Sequence, residues 1–282
     1  MRKLKILITN NALDRYAGTE TFVYTIAKEL HRRGHMVFCY SPVLGEVAKR
    51  LKEANIIVSK EFNFHPDIIH GHHCQPTTDA YKHFKVPTIF VKHGWVYEQE
   101  DIPKIPIKKL FVVSEELQKM VGGTILRNPI DMEIFKREQV GHNNQNPTLF
   151  LSNHPVKFDM AGIEYVNQEW NMQDDINYSD VVISSGRGAL EAMACNRPTI
   201  IFGRFGADGL VTKDNFNQLK KYNFSGRCLG MRWTKELLEQ EIKLANRLKP
   251  RLRELVKKEF DSIKIVDQLE QEYERTLGYN NN

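Results

Sequence analysis

Short apolar runs alternate along the first half of the chain with segments of helical period. "LKILIT" (4–9) is an apolar run, and "TETFVYTIAKELHRRGHMVFCYS" follows with Phe22, Ile26 and Leu30 on one helical face before Gly34. That spacing predicts strand, loop, helix, strand. The alternation recurs: "EVAKRLKEANIIVS" predicts helix then strand, "PDIIHGHH" and "VPTIFVKHG" each a strand ending in polar residues, and "IKKLFVVSEELQKMV" strand then helix. Strands and helices in such alternation predict a parallel sheet in a doubly wound domain.

Around "KREQVGHNNQNP" (136–147) the apolar pattern gives way to polar and turn-forming residues, which marks a domain linker. Beyond it "TLFLS", "DVVISS" and "RPTIIFG" predict three strands, with "GALEAMACN" as a helix starting near Ala189. A second, shorter α/β domain is therefore expected. From Thr234 to Leu277 the chain predicts charged amphipathic helix, interrupted at Pro250, where a proline ends or kinks a helix. The expected organisation is an N-terminal domain over 1–140, a reduced C-terminal domain over 146–233, and a helical segment over 234–282.

Length supports two domains, because single cores stop growing near ~250 residues and the chain has 282. Hydrophobic residues at 41% and charged residues at 27% suit a folded globular protein. No apolar run reaches the ~18 residues of a membrane helix. The apolar part of "MRKLKILITN" is too short for a signal peptide, so a cytoplasmic location is expected. Cys39, Cys74, Cys195 and Cys228 form no C-x-x-C pair, which argues against a zinc site or a disulfide framework. The net charge of +5 suits phosphate-bearing ligands without requiring them. No nucleic acid is expected, since the aromatics do not interleave with a basic stripe. The basic stretch 242–258, "IKLANRLKPRLRELVKK", has the composition of a helix lying on an anionic membrane, or of a solvated face packed against the domains.

In an open parallel sheet, ligands bind beyond the carboxyl ends of the strands. That rule selects Asn10 to Glu20, His70 to Cys74, His93 to Trp95, Ser114 and the stretch "SSGRGALEAMACNRPTIIFG" (184–203). Gly18 and Thr19 stand directly ahead of a helix, whose unpaired N–H groups favour an anion. This loop carries neither G-x-G-x-x-G nor a Walker sequence, so a plain turn with an N-cap is the alternative. His70, His72 and His73 have no acid at metal-motif spacing; as donors and acceptors they suit a hydroxyl-rich ligand. His93 ends a strand ahead of Gly94. Gly186, Arg187 and Gly188 read as a turn that lets a ligand approach backbone, with a guanidinium matched to phosphate oxygens. Glu191 is placed either to cap its own helix or to accept ribose hydroxyls.

Together "AGTETFVYTIAKELHRRGHMV", "DIIHGHH", "VKHG", "VVSEEL", "LRNPIDMEIF" and "ALEAMACNRPTI" resemble, in order and spacing over residues 4–202, the retaining glycosyltransferases of the group-one, family-four type. The resemblance implies the α/β GT-B fold: two Rossmann-like, doubly wound parallel-sheet domains facing across a cleft, with C-terminal helices. It implies transfer of a hexose from a nucleoside diphosphate sugar, such as a UDP-sugar, to a hydroxyl acceptor, with retention and without metal or other cofactor. Under it Gly18 and Thr19 approach the donor diphosphate, His93 the sugar near the reacting carbon, and Glu191 the ribose. Asn10, His70, His72 and His73 fall on the acceptor side.

The chain departs from that pattern. Eight positions before Glu191, where the family places a first glutamate, stands Ile183. The family's Arg and Lys pair after the first strand of the second domain is represented by Lys157 alone, with Arg187 and Arg204 as replacements for the charge. The second domain is shortened. A nucleotide-sugar epimerase of GT-B type and a silent nucleotide-sugar-binding protein are the competing expectations.

Overall fold

The computed structural model describes residues 2–138, 147–152, 162–167 and 170–279. It contains two compact units, Met1–Pro129 with Ser262–Asn282, and Ile130–Asp261. The first unit runs β1 (Lys5–Thr9), β2 (Ala12–Leu13), α1 (Gly18–Arg32), β3 (Met36–Tyr40), β4 (Val43–Leu44), α2 (Glu46–Glu53), β5 (Ile57–Ser59), β6 (Ile68–Gly71), α3 (Cys74–Phe84), β7 (Thr88–Lys92), β8 (Lys109–Val112), α4 (Glu115–Val121) and β9 (Thr124–Ile125). Seven of these strands form a sheet in the order β5-β3-β1-β6-β7-β8-β9. Every pairing in it is parallel.

The sequence reasons for these elements are visible in what they bury. Strand residues such as Ile6, Leu7 and Ile8 are fully buried, as expected for a parallel sheet covered on both faces. α1 turns Phe22, Ile26 and Leu30 inward, each worth roughly 1.5–3 kcal/mol of burial. It has an acid, Glu20, in its first turn and His31 and Arg32 in its last, which matches the helix dipole. Ser114 starts α4 by accepting a hydrogen bond from the Leu117 N–H at 3.2 Å.

The second unit runs β10 (Thr148–Leu151), β11 (Ile163–Val166), α5 (Met172–Tyr178), β12 (Val181–Ser184), α6 (Gly186–Ala194), β13 (Thr199–Gly203), β14 (Gly206–Leu210), α7 (Phe216–Lys220), α8 (Lys235–Leu248) and α9 (Arg253–Phe260). Its sheet is ordered β11-β10-β12-β13-β14. β11, α5, β14 and α7 lack the long apolar signal of their neighbours and were not expected. β14 also breaks the all-parallel expectation: it pairs antiparallel with β13, because the Gly203–Gly206 hairpin is too short for a crossover. Phe150, Ile183, Ile200, Phe202, Trp233 and Leu238 belong to the core of this unit.

The division differs from the expected 1–140, 146–233 and 234–282. Residues from Ile130 onward are tied to the second unit: the Ile130 N–H donates to Phe260 O at 2.7 Å, and Asn177 Nδ2 donates to Lys136 O at 2.9 Å. The C-terminal helices do not form a separate segment. α8 and α9 pack in the second unit, whereas α10 (Ser262–Thr276) belongs to the first. There α10 buries Ile265, Val266, Leu269 and Tyr273. Arg33 pairs with its Asp267 at 2.6 Å and its Glu270 at 2.5 Å. The stretch 242–258 is not one helix: α8 ends at Leu248, Lys249 adopts a left-handed backbone, and α9 starts at Arg253. Ala245 and Val256 on these helices are buried. Arg253 Nη1 donates to Ala194 O at 2.6 Å, serving the carbonyl end of α6.

Candidate functional site

In the first unit the strand order reverses between β1 and β6, the topological switch point at which open α/β sheets bind ligands. Asn10 follows β1, His72 and His73 follow β6, and His93 follows β7, the next strand in the sheet. Thr9 is in register with Gly71, so the ends of β1 and β6 lie level, and the His72 N–H donates to Thr9 O at 3.2 Å. The Asn11 N–H donates to His73 Nδ1 at 3.0 Å, fixing that ring. Asn10 Nδ2 donates to Ala12 O at 2.6 Å, while its Oδ1 is buried without a partner.

The imidazoles form a packed series. His70 lies 4.7 Å from His72 and His72 lies 5.0 Å from His93, centroid to centroid, both pairs stacked. Phe22 of α1 meets His72 and His93 in T-shaped contacts, with ring centroids at 5.2 and 4.9 Å. His72 Nδ1 and His93 Nε2 share a hydrogen bond of 2.7 Å, and His70 Nδ1 shares one of 2.5 Å with the Tyr273 hydroxyl of α10. Burial pushes His70 down to about 3 and His93 down to about 4, and it pushes His72 well below the ordinary histidine range. All three are neutral at neutral pH. His70 and His72 are fully buried and His73 nearly so, which puts them beneath the surface, where an acceptor does not reach them directly. His93 remains partly exposed.

Two carboxylates complete this region. Glu100 Oε2 accepts from the His93 and Gly94 N–H groups at 3.2 and 3.1 Å, and its Oε1 is 3.7 Å from His73 Nε2. Burial raises this carboxyl, but His73 nearby and the His93 backbone N–H outweigh burial and hold it below the usual range. Glu20, in the first turn of α1, is raised by burial. It accepts from Thr19 Oγ1 at 2.9 Å. Gly18 is exposed, with open space where a side chain would stand, and Ala17 gives α1 no side-chain cap. Glu20, Glu100 and Tyr273 were not singled out from sequence. Glu20 stands inside the selected loop, but Glu100 and Tyr273 arrive through tertiary contact, Tyr273 from 203 residues beyond His70.

The second unit has its own switch point, between β10 and β12. α6 starts there. Ser184 Oγ donates to Leu151 O at 3.0 Å, joining the ends of the two strands. Gly186 has φ of +57°, a conformation that favours glycine, and its N–H donates to Phe224 O at 2.7 Å. A Cβ at Gly203 would sit 2.6 Å from Ser185 Oγ, so only glycine lets β13 pass so close. The helix begins one turn earlier than Ala189, which places Arg187 and Gly188 inside its first turn. Arg187 and Glu191 are both buried, and Arg187 Nε donates to Glu191 Oε1 at 2.8 Å. The Glu191 carboxylate thus holds the Arg187 guanidinium. Arg204 is exposed in the β13–β14 turn, 5.9 Å from the Phe205 ring centroid. Lys157 lies outside the described residues. Among the described residues no three His, Cys, Asp or Glu side chains converge as metal ligands, and no helix is long and apolar enough to cross a membrane.

No protein-family model and no curated protein sequence matches this chain. Solved structures do match it. A glycosyltransferase from Rickettsia africae is similar at a TM-score of 0.67 and 13% identity, over 99% of this chain and 100% of the other. HepE from Anabaena, solved in complex with UDP-glucose, is similar at 0.65 and 13% identity, over 96% and 100%. A structure described as a putative UDP-N-acetylglucosamine 2-epimerase from Listeria monocytogenes is similar at 0.58 and 10% identity, over 99% and 98%. These likenesses establish the fold: two Rossmann-like α/β domains of the GT-B type, with both switch points carrying polar loops and a helix N-terminus.

Proposed function

We propose that this protein is a glycosyltransferase that moves a hexose from a nucleoside diphosphate sugar to a hydroxyl acceptor, with retention of configuration. The observation that carries the reading is the N-terminus of α6 at the second switch point, with buried Arg187 in its first turn. Backbone N–H groups, the positive helix end and a guanidinium together favour a departing diphosphate. The likeness along nearly the whole chain to a structure containing UDP-glucose supports a UDP-sugar as donor.

In this reading Gly186, Arg187 and Gly188 meet the diphosphate, with Arg204 and Lys157 as further cations, and Glu191 positions Arg187 as well as meeting the ribose. Gly18 and Thr19 are assigned to the donor. His93 contacts the sugar, with Asn10 and the loop of His73 on the acceptor side and His70 and His72 supporting the site from behind. The fixed dipoles and cations stabilise the leaving group, so the reaction requires no metal. A retaining reaction needs no separate general base when the leaving phosphate takes the acceptor proton.

The Listeria structure favours one second reading, epimerisation of a nucleotide sugar. A panel of nucleotide sugars, incubated with and without hydroxyl acceptors, separates the two. Transfer gives acceptor-dependent release of nucleoside diphosphate; epimerisation gives a changed sugar without release. A bound donor also adds about 2.7 kcal/mol of stability at a hundredfold excess over Kd, which raises Tm. Absence of both binding and turnover would falsify the reading.

A further inference from the structure

The hydrogen bond between His72 and His93 carries one proton, and the side of the bond that owns it decides what His93 offers a ligand. Two neutral arrangements exist. If His93 Nε2–H donates to His72 Nδ1, then His72 must carry its own proton on Nε2. That nitrogen is buried and has no partner, so an N–H there would be an orphaned donor. If His72 Nδ1–H donates to His93 Nε2, the orphan at His72 Nε2 is only an acceptor lone pair. Proteins tolerate an unsatisfied buried acceptor better than an orphaned N–H.

We propose that His72 is a positioning residue that fixes His93 as the neutral Nδ1–H tautomer, so that His93 presents a hydrogen-bond donor, and no basic nitrogen, to its ligand. His93 Nε2 is occupied by the His72 N–H at 2.7 Å and is withdrawn from chemistry. Phe22 locks the geometry through its T-shaped contacts with both rings. The site then selects a ligand oxygen with a lone pair facing His93, such as a sugar hydroxyl or ring oxygen or a phosphate oxygen. A bare N–H or ammonium group in that place is rejected. The ligand half of this proposal rests on the glycosyl-transfer reading; the tautomer half does not.

Nitrogen-15 NMR of the imidazole side chains in the full-length protein at neutral pH reads the tautomer directly, without ligand. The expected spectrum has His93 protonated at Nδ1 and His72 protonated at Nδ1. A His93 proton on Nε2, or an averaged mixture of the two forms, overturns the proposal. His72→Asn keeps an N–H where His72 Nδ1 stood, and His72→Phe removes it. For the donor that turns over, His72→Phe is expected to lower kcat/KM at least tenfold with the affinity for UDP alone unchanged, and His72→Asn to recover to within a few-fold. Equal losses in two folded variants contradict the positioning role. If wild-type protein binds no nucleotide sugar while His93 is the Nδ1–H form, the functional reading fails and the tautomer assignment stands.

Discussion

α1 and α6 each start beyond a strand end at a switch point, α1 after a loop that holds β2 and α6 after Ser185 alone, yet they carry opposite charge. α1 opens with Glu20, α6 with Arg187. A carboxylate in the first turn satisfies the helix dipole internally and repels a phosphate. A guanidinium in that position works against the dipole and draws an anion instead. Arg187 is kept there by Glu191 one turn later, so the second unit accepts a locally unfavourable charge and fixes it with a buried partner. In the first unit the neutral imidazoles of His70, His72 and His93 are joined to one another and to Tyr273, and the carboxylates of that region are Glu20 and Glu100. Under the proposed function, that contrast favours α6 over α1 as the place of the diphosphate.

The ion pair is the place to break this comparison hardest. Arg187→Met leaves a buried carboxylate without its partner and is expected to cost about 3–5 kcal/mol of stability in urea unfolding. The double variant Arg187→Met with Glu191→Leu should recover most of that loss while failing to regain donor affinity. Full recovery of donor affinity in the double variant would take the diphosphate away from α6.

The neutral cluster of the first unit responds to acid. His70 and His93 are depressed to about 3 and about 4 from an ordinary value of 6.5, so the unfolded chain takes up protons first as pH falls. Their stabilising contribution is complete above pH 6.5 and is lost progressively as pH falls toward about 4 for His93 and about 3 for His70. For His93, allowing for its partial exposure, this amounts to about 2 kcal/mol. Denaturation at pH 7 and pH 4.5 measures it, and His93→Asn should flatten that dependence. The smallest effect is expected at the mouth of α1. Because burial already disfavours the Glu20 charge, Glu20→Gln should change stability by less than about 1 kcal/mol and leave affinity for UDP unchanged or slightly higher.

Much of the architecture was legible because the sheet of the first unit is written in uninterrupted apolar runs, each strand ending in a polar residue that becomes a loop. Phe22, Ile26 and Leu30 announced α1 in the same way. The second unit was harder. β14 is Gly-Ala-Asp-Gly-Leu, with no alternation to read, and its antiparallel pairing depends on the Gly203–Gly206 turn. The boundary at Asp261 was invisible in sequence, since "KKEFDSIKIVD" continues a helical pattern across the point where the chain leaves one unit for the other. At the candidate site, the strand-end rule selected Asn10, His72, His93 and Arg187. It gave no means of finding Tyr273, whose contact with His70 is distant in sequence, or Glu100, which folds back from the loop after β7 onto the His93 and Gly94 N–H groups. Nor did it show that Arg187 and Glu191, four positions apart, bind each other, although one helical turn brings such residues together.

Calorimetric titration of UDP and UDP-glucose into the wild-type protein and into the Arg187→Met, Glu191→Leu double variant tests the central claim most directly. Saturable binding of both ligands by the wild type, weakened at least tenfold in the folded double variant, is the expected result. Binding that is absent in the wild type, or equally strong in the two proteins, would contradict it.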